Sequence, residues 1–257
     1  MPYEKFSLKG KIAVVIGGTS GIGRACAHGF AEADARAVVA SSRRSEEVER
    51  AAVELEAKGV ETFCRTVDVL DRASLVALRE EAVKKFGRID ILLNAAGRTK
   101  KAPTLDLSEE DWDAILDCNL KGSFLACQVF GEQMAAQKKG KIINIASLGS
   151  FVSLSEAVPY CVSKSGVAML TKCLGSEWAP KGIHVNAIAP GVFRTPLNSH
   201  LLELPERKDR ILGHTPMQRF GDVEELKGAA IFLASDASDF VTGEILAVDG
   251  GFLAMGI

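Results

Sequence analysis

Short apolar runs rich in β-branched residues recur along the chain and alternate with stretches whose apolar positions follow a helical period. The first run, Ile12 to Ile16, is apolar throughout, which is typical of a parallel strand buried on both faces. Six further strands are predicted at 37–41, 61–67, 89–93, 141–146, 184–189 and 244–248. The alternation predicts right-handed crossovers, and therefore an α/β fold with one doubly wound parallel sheet of about seven strands and helices on both faces.

The segments between the strands carry helix start and stop signals. Ser45 is a predicted N-cap, Ser108 to Asp111 resembles a capping box, and Gly87 is a predicted helix stop. The predicted helices cover 24–33, 45–58, 72–86, a long stretch from 111 to about 137, and 160–178.

No internal repeat, low-complexity tract or linker divides the sequence, so residues 1–257 are predicted to form a single domain. One irregular stretch, about 192–221, contains three prolines and a short helical piece near 197–212. A long irregular segment inside a compact domain is usually a lid or binding loop, so we expect it to cover the substrate.

Composition narrows the functional class. A formal net charge of −2 does not indicate the basic surface that nucleic-acid binding requires. The sequence has no run of 18 apolar residues, so no membrane span is predicted. The first ten residues lack the apolar core of a secretory signal. The six cysteines have neither Cys-x-x-Cys spacing nor histidines at zinc spacing, which predicts reduced, mostly buried thiols, a cytoplasmic protein and no metal site.

A glycine-rich loop directly follows the first strand and opens the first helix. Its glycines, Gly17, Gly21 and Gly23, permit a tight turn and let backbone N–H groups approach a pyrophosphate at the helix N-terminus. Such a loop in this position indicates a dinucleotide site.

A second motif places a phenol and an ammonium group one helical turn apart. Tyr160 and Lys164 are i and i+4 on the predicted helix, and therefore lie on one face. A nearby ammonium favours the phenolate, so we expect the pKa of Tyr160 to fall towards working pH, where acid–base catalysis is efficient. Ser147 supplies a hydroxyl that can donate to an oxygen on which charge develops. Taken alone, the short run favours an ordinary amphipathic helix, and it indicates catalysis only because a cofactor site is present elsewhere in the sequence.

In this order the motifs resemble the short-chain dehydrogenase/reductase family over nearly the whole chain. The segment 17–23 matches its nucleotide loop, Asn94 to Gly97 its Asn-Asn-Ala-Gly run, and 190–195 its nicotinamide loop. Ser147, Tyr160 and Lys164 match its catalytic residues, and Asn119 falls where the family has a fourth. Two positions depart from the pattern, since Ile16 replaces the usual Thr and Ala95 the second Asn.

The resemblance implies a Rossmann-type fold and hydride transfer between a nicotinamide and a carbinol or carbonyl carbon. It implies that Tyr160 exchanges a proton with the substrate oxygen, Ser147 orients that oxygen, Lys164 holds the nicotinamide ribose, and Asn119 helps to hold a water. It also implies a homotetramer, with a dimer as the second choice, because family members pair across the long helix and the helix from Tyr160. The cofactor residues that it implies are Gly17, Thr19, Ser20, Gly21, Ile22, Gly23, Ser42, Arg43, Asp68, Val69, Asn94, Ala95, Gly97, Tyr160, Lys164, Pro190, Gly191, Phe193 and Thr195.

The residues after the second strand bear on the choice of cofactor. An acidic residue there would bind the ribose 2′-hydroxyl and repel a 2′-phosphate. This chain has Arg43 and Arg44 instead, with no acid before Glu46, and Arg24 adds another cation near the glycine loop. We therefore expect NADP(H) to be preferred, while NAD(H) stays open as a second cofactor.

Two substrate classes remain open. Likeness around 186–198 and at 248–254 favours a sugar-acid or polyol dehydrogenase of the gluconate 5-dehydrogenase kind, with Arg194 and Asn198 as candidate carboxylate partners. The alternative is a 3-oxoacyl-(acyl-carrier-protein) reductase, for which the apolar residues Leu148, Phe151, Val152 and Leu154 could line an acyl slot. A non-catalytic NADP-binding sensor or scaffold is a third interpretation, which the four filled catalytic positions disfavour.

Overall fold

A single parallel sheet organises the chain. The computed structural model describes residues 4–195 and 204–255, and within them six strands run in the order β2-β1-β3-β4-β5-β6. The strands are β1 (Ile12–Ile16), β2 (Ala37–Ser41), β3 (Ile91–Asn94), β4 (Gly140–Ile145), β5 (Ile183–Pro190) and β6 (Ile245–Val248), and every neighbouring pair is parallel. The predicted α/β fold is therefore confirmed. The strand order reverses at β1, because β2 lies on one side of it and β3 on the other.

Helices cover both faces of the sheet. They are α1 (Gly21–Glu32), α2 (Ser45–Glu56), α3 (Arg72–Phe86), α4 (Glu109–Leu116), α5 (Gly122–Gln137), α6 (Val158–Trp178), α7 (Pro205–Gly213) and α8 (Lys227–Ala234). Alternate residues of β1 belong to different apolar clusters, with Ala13 and Val15 in the one that contains Phe30 of α1. Ile12 and Val14 belong to the cluster that contains Phe130 of α5. The two clusters bury both faces of the sheet, so the strands read as continuous apolar runs.

The predicted strand at 61–67 is wrong, which is why the sheet has six strands and not seven. Only Glu61 pairs with the neighbouring strand, in an isolated bridge to Ala37. Side chains take two of the backbone carbonyls that a ladder would need: Ser41 Oγ donates to the Arg65 carbonyl at 2.8 Å, and Lys85 Nζ donates to the Thr62 carbonyl at 2.7 Å. The segment therefore runs beside β2 without forming a regular ladder.

The predicted long helix is interrupted. A π-helical turn, Asp117–Lys121, separates α4 from α5, and such turns are frequent at functional sites. Ser108 caps α4 as predicted, since its Oγ accepts from Asp111 N at 3.2 Å. Ser45 is not a cap, because it is the first residue of α2 and Arg44 precedes it without a capping bond. Of the helical piece predicted near 197–212, α7 accounts for the end, and 197–203 lies outside the described residues.

Three further properties follow from the described residues. No helix among them is both long and apolar enough to cross a bilayer, and no group of three His, Cys, Asp or Glu side chains in these ranges could hold a metal ion. The cysteines are less buried than predicted: Cys26 and Cys127 are buried, whereas the other four are partly or fully exposed.

Candidate functional site

The motif residues gather at the carboxyl edge of the sheet. Gly17 follows β1, Asn94 ends β3, Ser147 lies two residues after β4, and Pro190 ends β5. Because parallel strands share one carboxyl edge, these four segments border a common crevice beside the reversal of strand order. The register supports this, since Asn94 pairs with both Ile16 and Asn144.

The glycine loop is packed so closely that side chains would not fit at two of its positions. A Cβ at Gly17, which has a φ of +76°, would lie 2.6 Å from Ala96 N, and a Cβ at Gly23 would lie 2.1 Å from the Gly17 carbonyl oxygen. The loop thus presents bare backbone, and α1 begins at Gly21 after Ser20, whose side chain makes no capping bond. The N–H groups of the first turn are therefore directed at the crevice without a side-chain acceptor from the cap residue.

The other side chains of this loop differ in their environment. Thr19 is buried and its Oγ1 donates to Glu47 Oε2 at 3.2 Å, while Ile22 packs against the apolar cluster around Phe30. Of the loop residues predicted to bind the cofactor, the glycines and Ser20 leave room for a ligand, and Ile22 mainly supports α1.

The expected adenosine end of the site lies after β2. The Ser42 hydroxyl is buried without a hydrogen-bond partner, and the Arg43 side chain is exposed. The charge expected from Arg24 is engaged elsewhere, because its Nε donates to Glu54 Oε2 at 2.7 Å. Asp68 accepts from Leu70 N at 2.9 Å. Arg43 is therefore the predicted cofactor cation that remains accessible here.

Val69 and Asn94 are buried residues that lie between this end of the site and the predicted catalytic side chains. Val69 is buried, and its Cγ2 would lie 2.7 Å from a Cβ at Gly122, the first residue of α5. Asn94 Nδ2 donates to Asn144 Oδ1 at 2.9 Å, and Asn94 Oδ1 is buried without a partner. Ala95 N donates to the Ile16 carbonyl at 2.8 Å. These residues tie β3 to its neighbours.

Asn119 is fully buried in the π-helical turn and joins three segments. Its Oδ1 accepts from Arg98 N at 2.8 Å, and its Nδ2 donates to the Arg98 carbonyl at 3.0 Å and to Ser163 Oγ at 2.9 Å. Gly97 passes beside the same amide, since a Cβ there would lie 3.4 Å from Asn119 Oδ1 and 3.8 Å from Lys164 Nζ. Both amide hydrogens of Asn119 donate to protein atoms, and Oδ1 accepts one hydrogen bond. The side-chain amide could therefore bind a water only through the second lone pair of Oδ1.

Tyr160, Lys164 and Ser147 lie together. The Lys164 ammonium lies 5.9 Å from the centroid of the Tyr160 ring and donates to the Ile145 carbonyl at 2.6 Å. Ser147 lies close enough to Tyr160 to lower the pKa of the phenol, and Ser147 Oγ accepts from Gly149 N at 3.1 Å. The structure therefore brings the predicted catalytic side chains to one place.

The protonation equilibria differ from the sequence-based expectation. Burial raises the pKa of Tyr160, and the nearby Ser147 hydroxyl only partly offsets that increase. Burial likewise lowers the pKa of Lys164 to about 8. The predicted fall in the pKa of Tyr160 is thus wrong for this structure, because desolvation of the phenol is the largest influence and raises that pKa.

The segment after β5 is held by contacts with the residues that follow β6 and with 220–221. Gly191 fits tightly, since a Cβ there would lie 2.6 Å from Asp249 Cα, and Phe193 is buried and bridges to Gly221. Arg194 is exposed and its guanidinium lies 5.1 Å above the Phe220 ring, beside a cavity of about 330 Å³. Thr195 is the last described residue before the gap, and Asn198 lies outside the described residues.

The proposed acyl slot is only partly open. Leu148 is buried and Leu154 is half-buried, whereas Phe151 and Val152 are exposed. Only Phe151 and Val152 could therefore offer much apolar surface to a ligand.

Sequence reasoning missed two residues that hold the site together. Ser163 is buried, accepts from Asn119 and donates to the Tyr160 carbonyl at 2.7 Å. Asn144 links Asn94 to Thr171 Oγ1, to which its Nδ2 donates at 3.0 Å. The spacing of Ser163, three residues after Tyr160, was a usable signal, because i and i+3 residues are neighbours on a helix.

Comparisons with known proteins agree with this geometry. The family model described as enoyl-(acyl carrier protein) reductase matches residues 17–253. The 2-dehydro-3-deoxy-D-gluconate 5-dehydrogenase of Pseudoalteromonas atlantica is 41% identical over 250 residues, which covers 97% of this chain and 98% of the relative. The NAD-dependent glycerol dehydrogenase of Listeria innocua is 39% identical over 251 residues, covering 97% and 96%.

A solved structure is equally similar. The gluconate 5-dehydrogenase of Burkholderia cenocepacia, in complex with NADP and tartrate, superposes with a TM-score of 0.95 at 40% identity, covering 98% of this chain and 99% of that one. This similarity extends over nearly the whole chain. It agrees with the motifs, with the fold and with the arrangement of Ser147, Tyr160 and Lys164. The chain belongs to the short-chain dehydrogenase/reductase family, whose members are oxidoreductases that act on hydroxyl groups.

Proposed function

We propose that this oxidoreductase transfers a hydride between NADP(H) and a secondary alcohol or ketone, that Ser147, Tyr160 and Lys164 carry the reaction, and that Asn119, the fourth predicted catalytic residue, positions them. The observation that supports this best is the convergence of a phenol, an ammonium group and a hydroxyl at the carboxyl edge of β4. When bound, the nicotinamide supplies or takes up the hydride. Proton transfer and orientation of the substrate are then the tasks of the protein side chains.

Each of these side chains has a separate task. Tyr160 exchanges the proton with the substrate oxygen, and Ser147 donates a hydrogen bond to that oxygen as charge develops on it. Lys164 holds the ribose next to the nicotinamide and supplies positive charge beside the phenol. Because its pKa is about 8, Lys164 is mostly charged at pH 7 and mostly neutral above pH 9.

Asn119 is a positioning residue in this proposal. Its amide is engaged by Arg98 and Ser163, so its main contribution is to fix the π-helical turn against α6. The water-holding role implied by the family is confined to the remaining lone pair of Oδ1 and to the backbone.

The Tyr160→Phe variant tests the proton-transfer role. It keeps the ring and removes the acid, so kcat is expected to fall by about 100-fold or more, in line with the usual contribution of a general acid. The measurement is steady-state turnover, with the Kd for NADPH as the control, which should stay near the wild-type value. Near wild-type turnover with unchanged cofactor binding would contradict the mechanism.

The residues of the crevice fit a dinucleotide. The Cβ positions at Gly17 and Gly23 are filled by backbone, α1 begins without a side-chain cap bond, and two buried polar atoms, Ser42 Oγ and Asn94 Oδ1, have no protein partner. These features leave space and donors for a pyrophosphate and acceptors or donors for ribose hydroxyls. They support the cofactor residues predicted from the sequence, which remain part of this proposal.

We further propose that NADP(H) is preferred over NAD(H). Arg43 is exposed after β2, no acidic side chain occupies the position that would bind a ribose 2′-hydroxyl, and the Burkholderia relative was crystallised with NADP. The Listeria relative is named as NAD-dependent, so both cofactors have to be compared directly.

The Arg43→Ala variant provides that comparison. Loss of the guanidinium should lower kcat/KM for NADP by about 10-fold or more, as expected for a charge-assisted contact to phosphate, and should leave kcat/KM for NAD nearly unchanged. Both values are measured for wild type and variant under the same conditions. A wild-type preference for NAD, or equal losses with both cofactors, would contradict the proposed role of Arg43.

A homotetramer is the proposed assembly. Phe124 on α5 and Val162 and Met169 on α6 are exposed apolar side chains, which fits pairing of these helices between copies. Four other apolar residues of α5, Ala126, Cys127, Val129 and Phe130, are buried within their own subunit and do not contribute to this surface. Light scattering should give a mass of four chains; a monomer would contradict the proposal.

The proposed substrate class is a sugar acid or a polyol. The names of the Pseudoalteromonas and Burkholderia relatives support it, and Arg194 is an exposed cation beside the nicotinamide loop that could pair with a carboxylate. The alternative, an acyl group on a carrier protein, is favoured by the description of the family model and by the exposed Phe151 and Val152.

A single domain over 1–257, with its substrate loop near 192–221, and a cytoplasmic location remain predictions.

A parallel assay separates the two substrate classes. Gluconate with NADP, and 5-ketogluconate and an acetoacetyl thioester with NADPH, are tested at equal enzyme concentration, and turnover of the sugar acid pair is expected. Arg194→Met should raise KM for gluconate by about 10-fold, because a charged pairing is lost, and should leave KM for the neutral polyol threitol unchanged. Turnover of the thioester alone would overturn the proposed substrate.

A further inference from the structure

Glu47 connects the two loops that border the adenosine end of the crevice. It lies in the first turn of α2, after β2, and its Oε2 accepts from Thr19 Oγ1 in the glycine loop at 3.2 Å. Its other oxygen, Oε1, pairs with Arg44 at 2.6 Å and lies 3.9 Å from Arg50. One carboxylate therefore ties the β1–α1 loop to the start of α2.

The contact on the glycine loop is well shielded. Thr19 is 4% exposed, and the Glu47 side chain is 18% exposed, whereas Arg44 is 73% exposed. A hydrogen bond to a charged acceptor in such a place is stronger than one at the open surface. Glu47 thus holds Thr19, and with it the turn between Gly18 and Ser20, against α2.

Glu47 also determines which of the two arginine side chains after β2 can pair with a ligand. Two consecutive arginines follow Ser42, but Arg44 is paired with Glu47, while Arg43 has no ion pair among the residues that the structure describes. A 2′-phosphate bound by Arg43 would also experience the negative charge of Glu47, which follows Arg43 by four residues and contacts the neighbouring Arg44. Both effects of Glu47, repulsion and the engagement of Arg44, disfavour a 2′-phosphate.

We infer that Glu47 is a specificity-determining residue that limits the preference of this enzyme for a 2′-phosphorylated cofactor while anchoring the glycine loop through Thr19. The inference rests on the proposed cofactor site and concerns how that site is tuned. Glu47 does not touch the reacting atoms. It acts through charge on the 2′-phosphate and through Thr19 on the loop.

The test uses two ligands that differ only in the 2′-phosphate, adenosine 2′,5′-bisphosphate and adenosine 5′-monophosphate. Their Kd values are measured by titration calorimetry for the full chain, without any turnover. Glu47→Gln keeps an oxygen that can accept from Thr19 but removes the charge and releases Arg44. It should tighten the bisphosphate about fivefold and leave the monophosphate within about twofold.

Two further variants separate charge from structure. Glu46→Gln makes the same charge change one residue earlier, on an exposed side chain, and should change neither Kd by more than about twofold. Thr19→Val keeps the shape and removes the hydroxyl, so it should weaken both ligands to the same degree. Equal effects of Glu47→Gln and Glu46→Gln, or equal effects of Glu47→Gln on both ligands, would overturn the inference.

The outcome is distinguishable from failure of the proposed cofactor preference. If wild type binds the monophosphate more tightly, the proposed preference for NADP is wrong, yet the comparison of Glu47→Gln with Glu46→Gln still decides the role of Glu47. If neither ligand binds wild type, both the cofactor site and the inference are wrong.

Discussion

The amide of Asn119 is the constraint on which the centre of the site depends. A buried amide without partners is costly, and this one is satisfied by the backbone of Arg98 and by Ser163. Those bonds fix three elements relative to one another: the segment after β3, the π-helical turn, and the first two turns of α6. Tyr160 and Lys164 project from these two turns of α6, so their positions follow from the same bonds.

The sheet supplies the rest of the arrangement. Parallel strands deliver Gly17, Asn94, Ser147 and Pro190 to one edge, and side-chain bonds from Asn94 to Asn144 and from Asn144 to Thr171 link β3, β4 and α6 behind that edge. Lys164 then reaches back to the Ile145 carbonyl at the end of β4. This arrangement buries both groups and disfavours their charged forms. Burial raises the pKa of Tyr160 and lowers the pKa of Lys164 to about 8.

Sequence patterns were sufficient for the elements whose signal is local. Fully apolar runs such as Ile12–Ile16, and the order of the motifs along the chain, predicted the α/β fold, the sheet edge at which the motif residues gather, and the family. The errors arose where tertiary contacts decide. Ser41 and Lys85 take the carbonyls that a strand at 61–67 would need, and Asn119 is bonded across segments within a π-helical turn that helical periodicity does not reveal. The direction of the Tyr160 pKa depends on desolvation, which a spacing of four residues does not encode.

The most direct test of this account is turnover in the Asn119→Leu variant, which keeps the size of the side chain and removes its hydrogen bonds. The measurement is kcat with the substrate pair that wild type turns over, together with the circular dichroism spectrum and the Kd for NADPH. The account predicts that kcat falls by about 100-fold, because misplacement of an acid–base group costs rates of that order, while the fold and cofactor binding are largely retained. A kcat within about threefold of wild type would contradict the claim that this amide holds the catalytic groups in place.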